Sequence, residues 1–270
     1  MKILIVGGSG FVGSYLNNHL QKEHTVNFTC YSSNESEIVY NAEIDLLTDL
    51  ITEKYDIVIN NVNPGDLSTN GVTRNIESVI EYCKKHSAWM IQISSFFAST
   101  ENRDANDYTQ KKAISEEIIQ SQLPEGSYTI LRFAQLFDLE GLSRKTQGGL
   151  YYLAEMVKKK SPINLFANHS ECSRNYMPIA LLLEIVEKVI NEEVKGLHNA
   201  YFNSLTLSFK DIIRNLENSH PEPYCSELLI GDRDGMTYSI EKESELISNL
   251  VKPNSMNFYL NEFFHSIKID

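Results

Sequence analysis

Through the first half of the chain, short apolar runs alternate with stretches that carry apolar residues at helical spacing. Runs at 2–6, 25–30, 42–45, 56–60, 88–94 and 127–133 predict strands, and the amphipathic stretches at 11–21, 46–53, 70–86 and 105–122 predict helices between them. Strand and helix in strict alternation imply a parallel sheet with helices on both faces, because the crossover connections are right-handed. Past residue 140 the alternation weakens. A helix over 148–160, a polar loop at 167–175, a helix over 178–191, a strand over 198–202 and helices over 208–217 and 257–266 predict a smaller lobe beside the sheet.

Composition narrows the class. The chain has 270 residues, 42% apolar and 22% charged, which suits one doubly wound domain with an added lobe. No apolar run reaches the roughly 18–20 residues of a membrane-spanning helix, and Met1-Lys2 leads straight into Ile3-Leu4-Ile5-Val6 with no export signal. A cytoplasmic protein with no membrane partner is the expectation. A formal charge of −12 argues against nucleic acid, and the one basic run, Lys158-Lys159-Lys160, reads as a solvated helix end. Cys30, Cys83, Cys172 and Cys225 form no CxxC pair, and His169 with Cys172 lacks a second ligand pair. Neither a disulfide framework nor a metal site is expected.

Gly7-Gly8-Ser9-Gly10-Phe11-Val12-Gly13 follows the first strand and opens the first helix. It satisfies both G-x-G-x-x-G and G-x-x-G-x-x-G. Glycines here permit a tight turn, close approach of backbone N–H groups to a pyrophosphate, and close helix–strand packing, and the helix N-terminus adds partial positive charge. A dinucleotide is the ligand expected. The second strand ends in Cys30-Tyr31-Ser32-Ser33-Asn34, with no acid to grip the ribose hydroxyls of NAD or to repel the extra phosphate of NADP. NAD and NADP both remain open, tilted slightly towards NADP.

The fifth strand runs into Ser94-Ser95, and thirteen residues beyond Ser95 comes Tyr108, four residues before Lys112. On a helix these two share a face. A nearby ammonium favours the ionised phenol, and a tyrosine so tuned can exchange a proton with a hydroxyl while a serine holds the same oxygen. A second YxxxK pair, Tyr238 and Lys242, lies far from any strand end, so position makes the first informative.

These residues resemble the extended short-chain dehydrogenases, in particular the NAD-dependent epimerase/dehydratase family with its nucleotide-sugar epimerases and dTDP-4-dehydrorhamnose reductase-like reductases. The likeness spans almost the whole chain. It implies a Rossmann-type α/β fold, a doubly wound parallel sheet with a smaller C-terminal substrate-binding lobe. Residues 1–142 with 176–203 would form the NAD(P)-binding domain and 143–175 with 204–270 the lobe. By resemblance Gly7, Gly10, Phe11, Val12 and Gly13 hold the cofactor, joined by Tyr31, Ser32, the adenine-contacting pair Asp45-Leu46, the loop Asn60-Asn61-Val62, and Phe133. Ser95, Tyr108 and Lys112 match the catalytic set, Ser94 being the alternative serine, and Tyr108 and Lys112 also meet the cofactor. Ser95, Gln135 and Arg174 would contact substrate, Arg174 through the diphosphate of a nucleotide-linked sugar. A homodimer built on the helices near 70–86 and 105–122 is also implied.

The family's dehydratases carry an Asp-Glu after the catalytic serine or threonine, whereas this chain has Phe96-Phe97. Reduction of a 4-keto-6-deoxy sugar, which needs one proton donor and one hydride, is the expected reaction. The alternatives are epimerisation of a nucleotide sugar, reduction of a non-nucleotide ketone, and a sensor of NAD(P) without turnover.

Overall fold

The computed structural model describes residues 1–32, 38–99, 106–138, 149–161, 163–166, 173–219, 226–229 and 242–267. Strands β1 (Lys2–Val6), β2 (Thr25–Cys30), β3 (Ile38–Val39), β4 (Ile57–Asn60), β5 (Trp89–Ser95) and β6 (Tyr128–Phe133) enter one sheet in chain order. A late strand (Gly196–Asn199) pairs beside β6, giving seven strands. With that late strand numbered β10, the order is β10-β6-β5-β4-β1-β2-β3, and every pairing is parallel.

Burial on both faces explains the near-continuous apolar runs of β1, β4 and β5. Ile3, Ile5, Ile57, Ile59, Ile91 and Ile93 turn to one layer, with Leu16 and Leu20 of helix α1 (Phe11–Leu20). Leu4, Val6, Val58, Met90 and Ile130 turn to the other, with Ile76, Val79 and Ile80 of α3 (Thr69–His86) and Ile119 of α4 (Asp107–Gln122). Between β3 and β4 the helix α2 covers Leu47–Leu50 alone. The chain order reverses between β1 and β4, and the crevice at such a reversal is where open α/β sheets bind ligands.

The remaining elements lie outside that sheet. They are β7 (Gln135–Phe137), α5 (Gly149–Lys158), β8 (Ile163–Phe166), β9 (Ser173–Pro178), α6 (Ile179–Asn191), β11 (Thr206–Ser208), α7 (Phe209–Ser219), β12 (Ser226–Leu229), α8 (Glu245–Leu250) and α9 (Met256–His265). β9 pairs in parallel with β7 and antiparallel with β11. Lys158, Lys159 and Lys160 are exposed at the end of α5, as their composition suggested.

Several expectations need correcting. The strand expected at 42–45 is a turn, and the third strand is 38–39 instead. Asn41 is the cause: its side chain accepts from the Glu43 amide at 3.0 Å and its carbonyl from the amides of Ile44 and Asp45, which closes the backbone on itself. The helix expected over 46–53 shrinks to 47–50, and the late strand lies at 196–199 rather than 198–202. Residues 173–175 of the expected polar loop are strand, while 167–172, with His169 and Cys172, lie outside the described residues. Among the described residues no cluster suits a metal, and no helix is long and apolar enough to cross a membrane.

Candidate active site

The glycine loop closes the end of β1 against the end of β4. Gly7 has φ +83°, in the left-handed region that glycine occupies without strain, and a Cβ there would stand 3.2 Å from the backbone of Asn61 and Val62. Gly13 is glycine for packing, since a Cβ would fall 2.4 Å from the Gly7 carbonyl oxygen. Gly10 differs from both. Its φ of −69° suits any residue, it is exposed, and an added Cβ would meet only the Gly7 oxygen at 3.5 Å. Nothing in the fold requires glycine at the N-cap of α1, whereas a diphosphate lying on the N–H groups would. Phe11 and Val12 begin the helix, half-buried.

The other expected cofactor residues ring the same edge. Tyr31 and Ser32 are exposed past the end of β2, and Asp45 accepts a hydrogen bond from the Asn41 amide at 2.7 Å. Leu46 caps α2, and Asn61 and Val62 lie half-buried over Gly7. Asn60 points elsewhere. Its amide donates to Asn75 at 3.1 Å and Gln92 at 2.9 Å inside the core, so its side chain ties β4 to α3 and β5. Phe133 is likewise a core side chain, and its backbone runs beside Ser95.

Ser95, Tyr108 and Lys112 come together. A capping box between Asn106 and Thr109 starts α4 one residue before Asp107, which places Tyr108 in the first turn. The Tyr108 phenol lies beside the Ser95 hydroxyl, close enough for that hydroxyl to act on its ionisation. The Tyr108 and Phe97 rings meet at 79°, edge to face, centroids 6.5 Å apart, and the turn at Gly65 approaches the Tyr108 ring. Lys112 is buried, its Nζ donates to the Ile93 carbonyl at 3.0 Å, and it lies 5.9 Å from the Tyr108 ring centroid. Ser94 is not the alternative it seemed, because its hydroxyl donates to Glu116 at 2.6 Å on the opposite side of β5.

The electrostatics depart from the expectation that Lys112 lowers the tyrosine pKa. Burial raises the Tyr108 phenol above its usual value, with the Ser95 hydroxyl pulling the other way. Burial also depresses the Lys112 ammonium to about 8, with Glu116 opposing. Tyr108 is therefore a protonated phenol at neutral pH.

Gln135 and Arg174 sit on neighbouring strands of the three-stranded sheet β11-β9-β7. Gln135 is half-buried in β7, opposite Tyr176 of β9. Arg174 is half-buried on β9, where its guanidinium donates to the Ser173 carbonyl at 3.1 Å and helps hold the Tyr176 phenol down while burial pushes it up to about 12. The second YxxxK pair has no such setting: Lys242 is exposed and paired with Glu245, and Tyr238 lies outside the described residues. Sequence reasoning missed the Glu116–Arg132 ion pair, 2.7 Å at its shortest, one helical turn beyond Lys112. The signal was an arginine inside the otherwise apolar run of β6.

The fold, a seven-stranded Rossmann-type sheet with the glycine loop at its first turn, is shared with solved nucleotide-sugar epimerases. Among solved structures, the chain is similar to UDP-glucuronic acid 4-epimerase from Bacillus cereus in complex with UDP-glucuronic acid and NAD. The TM-score is 0.77 at 16% identity, covering 99% of each chain. It is also similar to UDP-N-acetylglucosamine 4-epimerase from Methanobrevibacter ruminantium, with TM-score 0.75, 13% identity and 98% and 96% of the two chains covered. A hypothetical dTDP-4-dehydrorhamnose reductase from Sulfolobus tokodaii matches with TM-score 0.67 at 16% identity over 88% and 89%. Neither a family model nor a curated protein sequence matches the chain.

Proposed function

We propose that this chain is an NAD(P)-dependent oxidoreductase acting on a nucleotide-linked sugar, and that it reduces a keto sugar of the 4-keto-6-deoxy kind. The observation that carries the reading is the Tyr108 phenol set beside the Ser95 hydroxyl with Lys112 behind it, at the sheet edge that the glycine loop faces. The glycine loop would hold the pyrophosphate and Lys112 the nicotinamide ribose. A reduced nicotinamide bound there supplies a hydride. Ser95 and Tyr108 hold the carbonyl oxygen, and Tyr108 gives it a proton as the carbonyl carbon is reduced, leaving an alcohol and a phenolate that solvent reprotonates. A phenol kept neutral by burial suits this direction. Phe96 is buried and Phe97 half-buried, so the positions after Ser95 provide no second acid/base pair for dehydration.

The similar solved structures are mostly epimerases of UDP-sugars, and epimerisation is the second reading; their fold, with its crevice for cofactor and sugar nucleotide, supports both. Tyr31 and Ser32 place no charge against an adenosine 2′-phosphate, so NADPH is expected to bind at least as tightly as NADH. Fluorescence titration of both decides that point, and a clear preference for NADH reverses it. Tyr108→Phe tests the reaction. It should bind NAD(P)H as the parent does and lose on the order of a hundredfold in turnover, the usual scale for a positioned proton donor. Tyr238→Phe should do little, and equal losses at both would show that the wrong motif had been chosen.

A further inference from the structure

Glu116 lies four residues beyond Lys112 on α4, so the two side chains share a face of the helix. Its carboxylate is 2% exposed. A carboxylate so deeply buried survives ionised only when its oxygens are satisfied. Here Arg132 of β6 donates through Nε at 3.1 Å to both oxygens and through Nη2 at 2.7 Å, and the Ser94 hydroxyl of β5 donates at 2.6 Å. One side chain thus ties together the helix that carries Tyr108 and Lys112, the strand that ends in Ser95, and the neighbouring strand.

The charges add a second consideration. Lys112 is a buried cation and Arg132 a half-buried one, and Glu116 is the anion between their elements. Among the described residues, the charged or titratable groups about the Lys112 ammonium are Tyr108 and Glu116 of its own helix, with Arg132 behind Glu116. β5 offers only the Ile93 carbonyl and hydroxyls, and α3, packed along α4, brings no charge that acts on it.

We propose that Glu116 is a positioning residue for the catalytic set: without opening on the cleft, it supplies the counter-charge that keeps the Lys112 ammonium protonated, and Arg132 and Ser94 limit how much of that charge the lysine receives. The inference concerns the site in which the proposed reaction would occur, but its test needs neither substrate nor cofactor.

Lysine labelled with ¹³C at Cε reports the ionisation of each ammonium by NMR, with Lys112→Met identifying the resonance. In the parent protein the Lys112 signal is expected to titrate near 8. Glu116→Gln should move the midpoint down by about a unit, in keeping with loss of an opposite charge one turn away on the same buried helix face. Ser94→Ala deletes one hydroxyl and leaves the ion pair, so it answers even where Glu116→Gln does not fold. It strips a donor from the carboxylate and should move the midpoint up. Shifts of opposite sign cannot come from general loosening of the fold. A Lys112 midpoint unchanged in Ser94→Ala, and in Glu116→Gln where that variant folds, overturns the proposal. Failure of the ketoreductase reading would instead appear as absent turnover with these shifts intact.

Discussion

Gly10 and Gly13 are three residues apart and are glycine for different reasons, which gives them different variants. Gly13→Val drives carbon into the Gly7 carbonyl and should cost folding, whereas the Cβ of Gly10→Val meets only the Gly7 oxygen at an ordinary contact distance and should leave the thermal transition near that of the parent. Gly10→Val should nonetheless abolish NAD(P)H binding, because the added carbons occupy the place of the diphosphate. Unchanged affinity in a folded Gly10→Val protein, by fluorescence titration, would remove the cofactor from this loop. Lys112 makes a second residue-scale prediction. Its folded pKa of about 8 lies below the ordinary 10.5, so the folded state binds fewer protons between those values and stability rises over that window. Below pH 8 the buried charge costs up to roughly 3 kcal/mol. Lys112→Met should therefore be inactive yet more stable at neutral pH, and its advantage in denaturant titrations should shrink as pH rises from about 8 towards 10.5. An equal advantage across that range would contradict the burial of a charged lysine. The glycine pattern and the Tyr108–Lys112 spacing were legible in the sequence because they are local. That Glu116 and Arg132 meet was not, since they are sixteen residues apart on different elements.

Among the elements, α4 connects stability to chemistry. Asn106 accepts from the Thr109 amide at 3.0 Å and Thr109 accepts from the Asn106 amide at 3.1 Å, so the cap fixes the turn that holds Tyr108. Asn106→Ala should cost about 1 kcal/mol, lower the melting temperature by about 2–4 °C, and reduce kcat severalfold, while cofactor affinity through the glycine loop holds. A kcat equal to the parent's would show that Tyr108 does not depend on the cap. The long elements of the sheet half were readable because each carries several periods of its pattern. The third strand was missed because it spans two residues, and apolar Ala42 and Ile44 beside it mimic a strand while Asn41 folds them into a turn. β7 and β11 span three residues each, too few for a period of two to show against chance.

At the scale of the whole molecule, the parallel sheet brings the glycine loop, Ser95 and the start of α4 to one edge, while Gln135 and Arg174 belong to the three-stranded sheet β11-β9-β7. Under the proposed function, cofactor and proton transfer fall to the first and the substrate's remainder to the second. Arg174→Ala should then raise KM for a nucleotide-linked sugar by roughly tenfold or more, the scale of a hydrogen bond to a charged group, and leave NAD(P)H affinity untouched. If nucleoside diphosphates neither bind nor inhibit the parent protein, the substrate is not nucleotide-linked. The reaction itself is tested most directly by supplying a nucleotide-linked 4-keto-6-deoxy sugar with NAD(P)H deuterated at the transferable position, then analysing the product. The account predicts one cofactor oxidised for each sugar reduced, with the deuterium on the new carbinol carbon. Interconversion of a plain nucleotide-hexose with its epimer, or its conversion to a keto-deoxy product, with no net cofactor consumed, would contradict it.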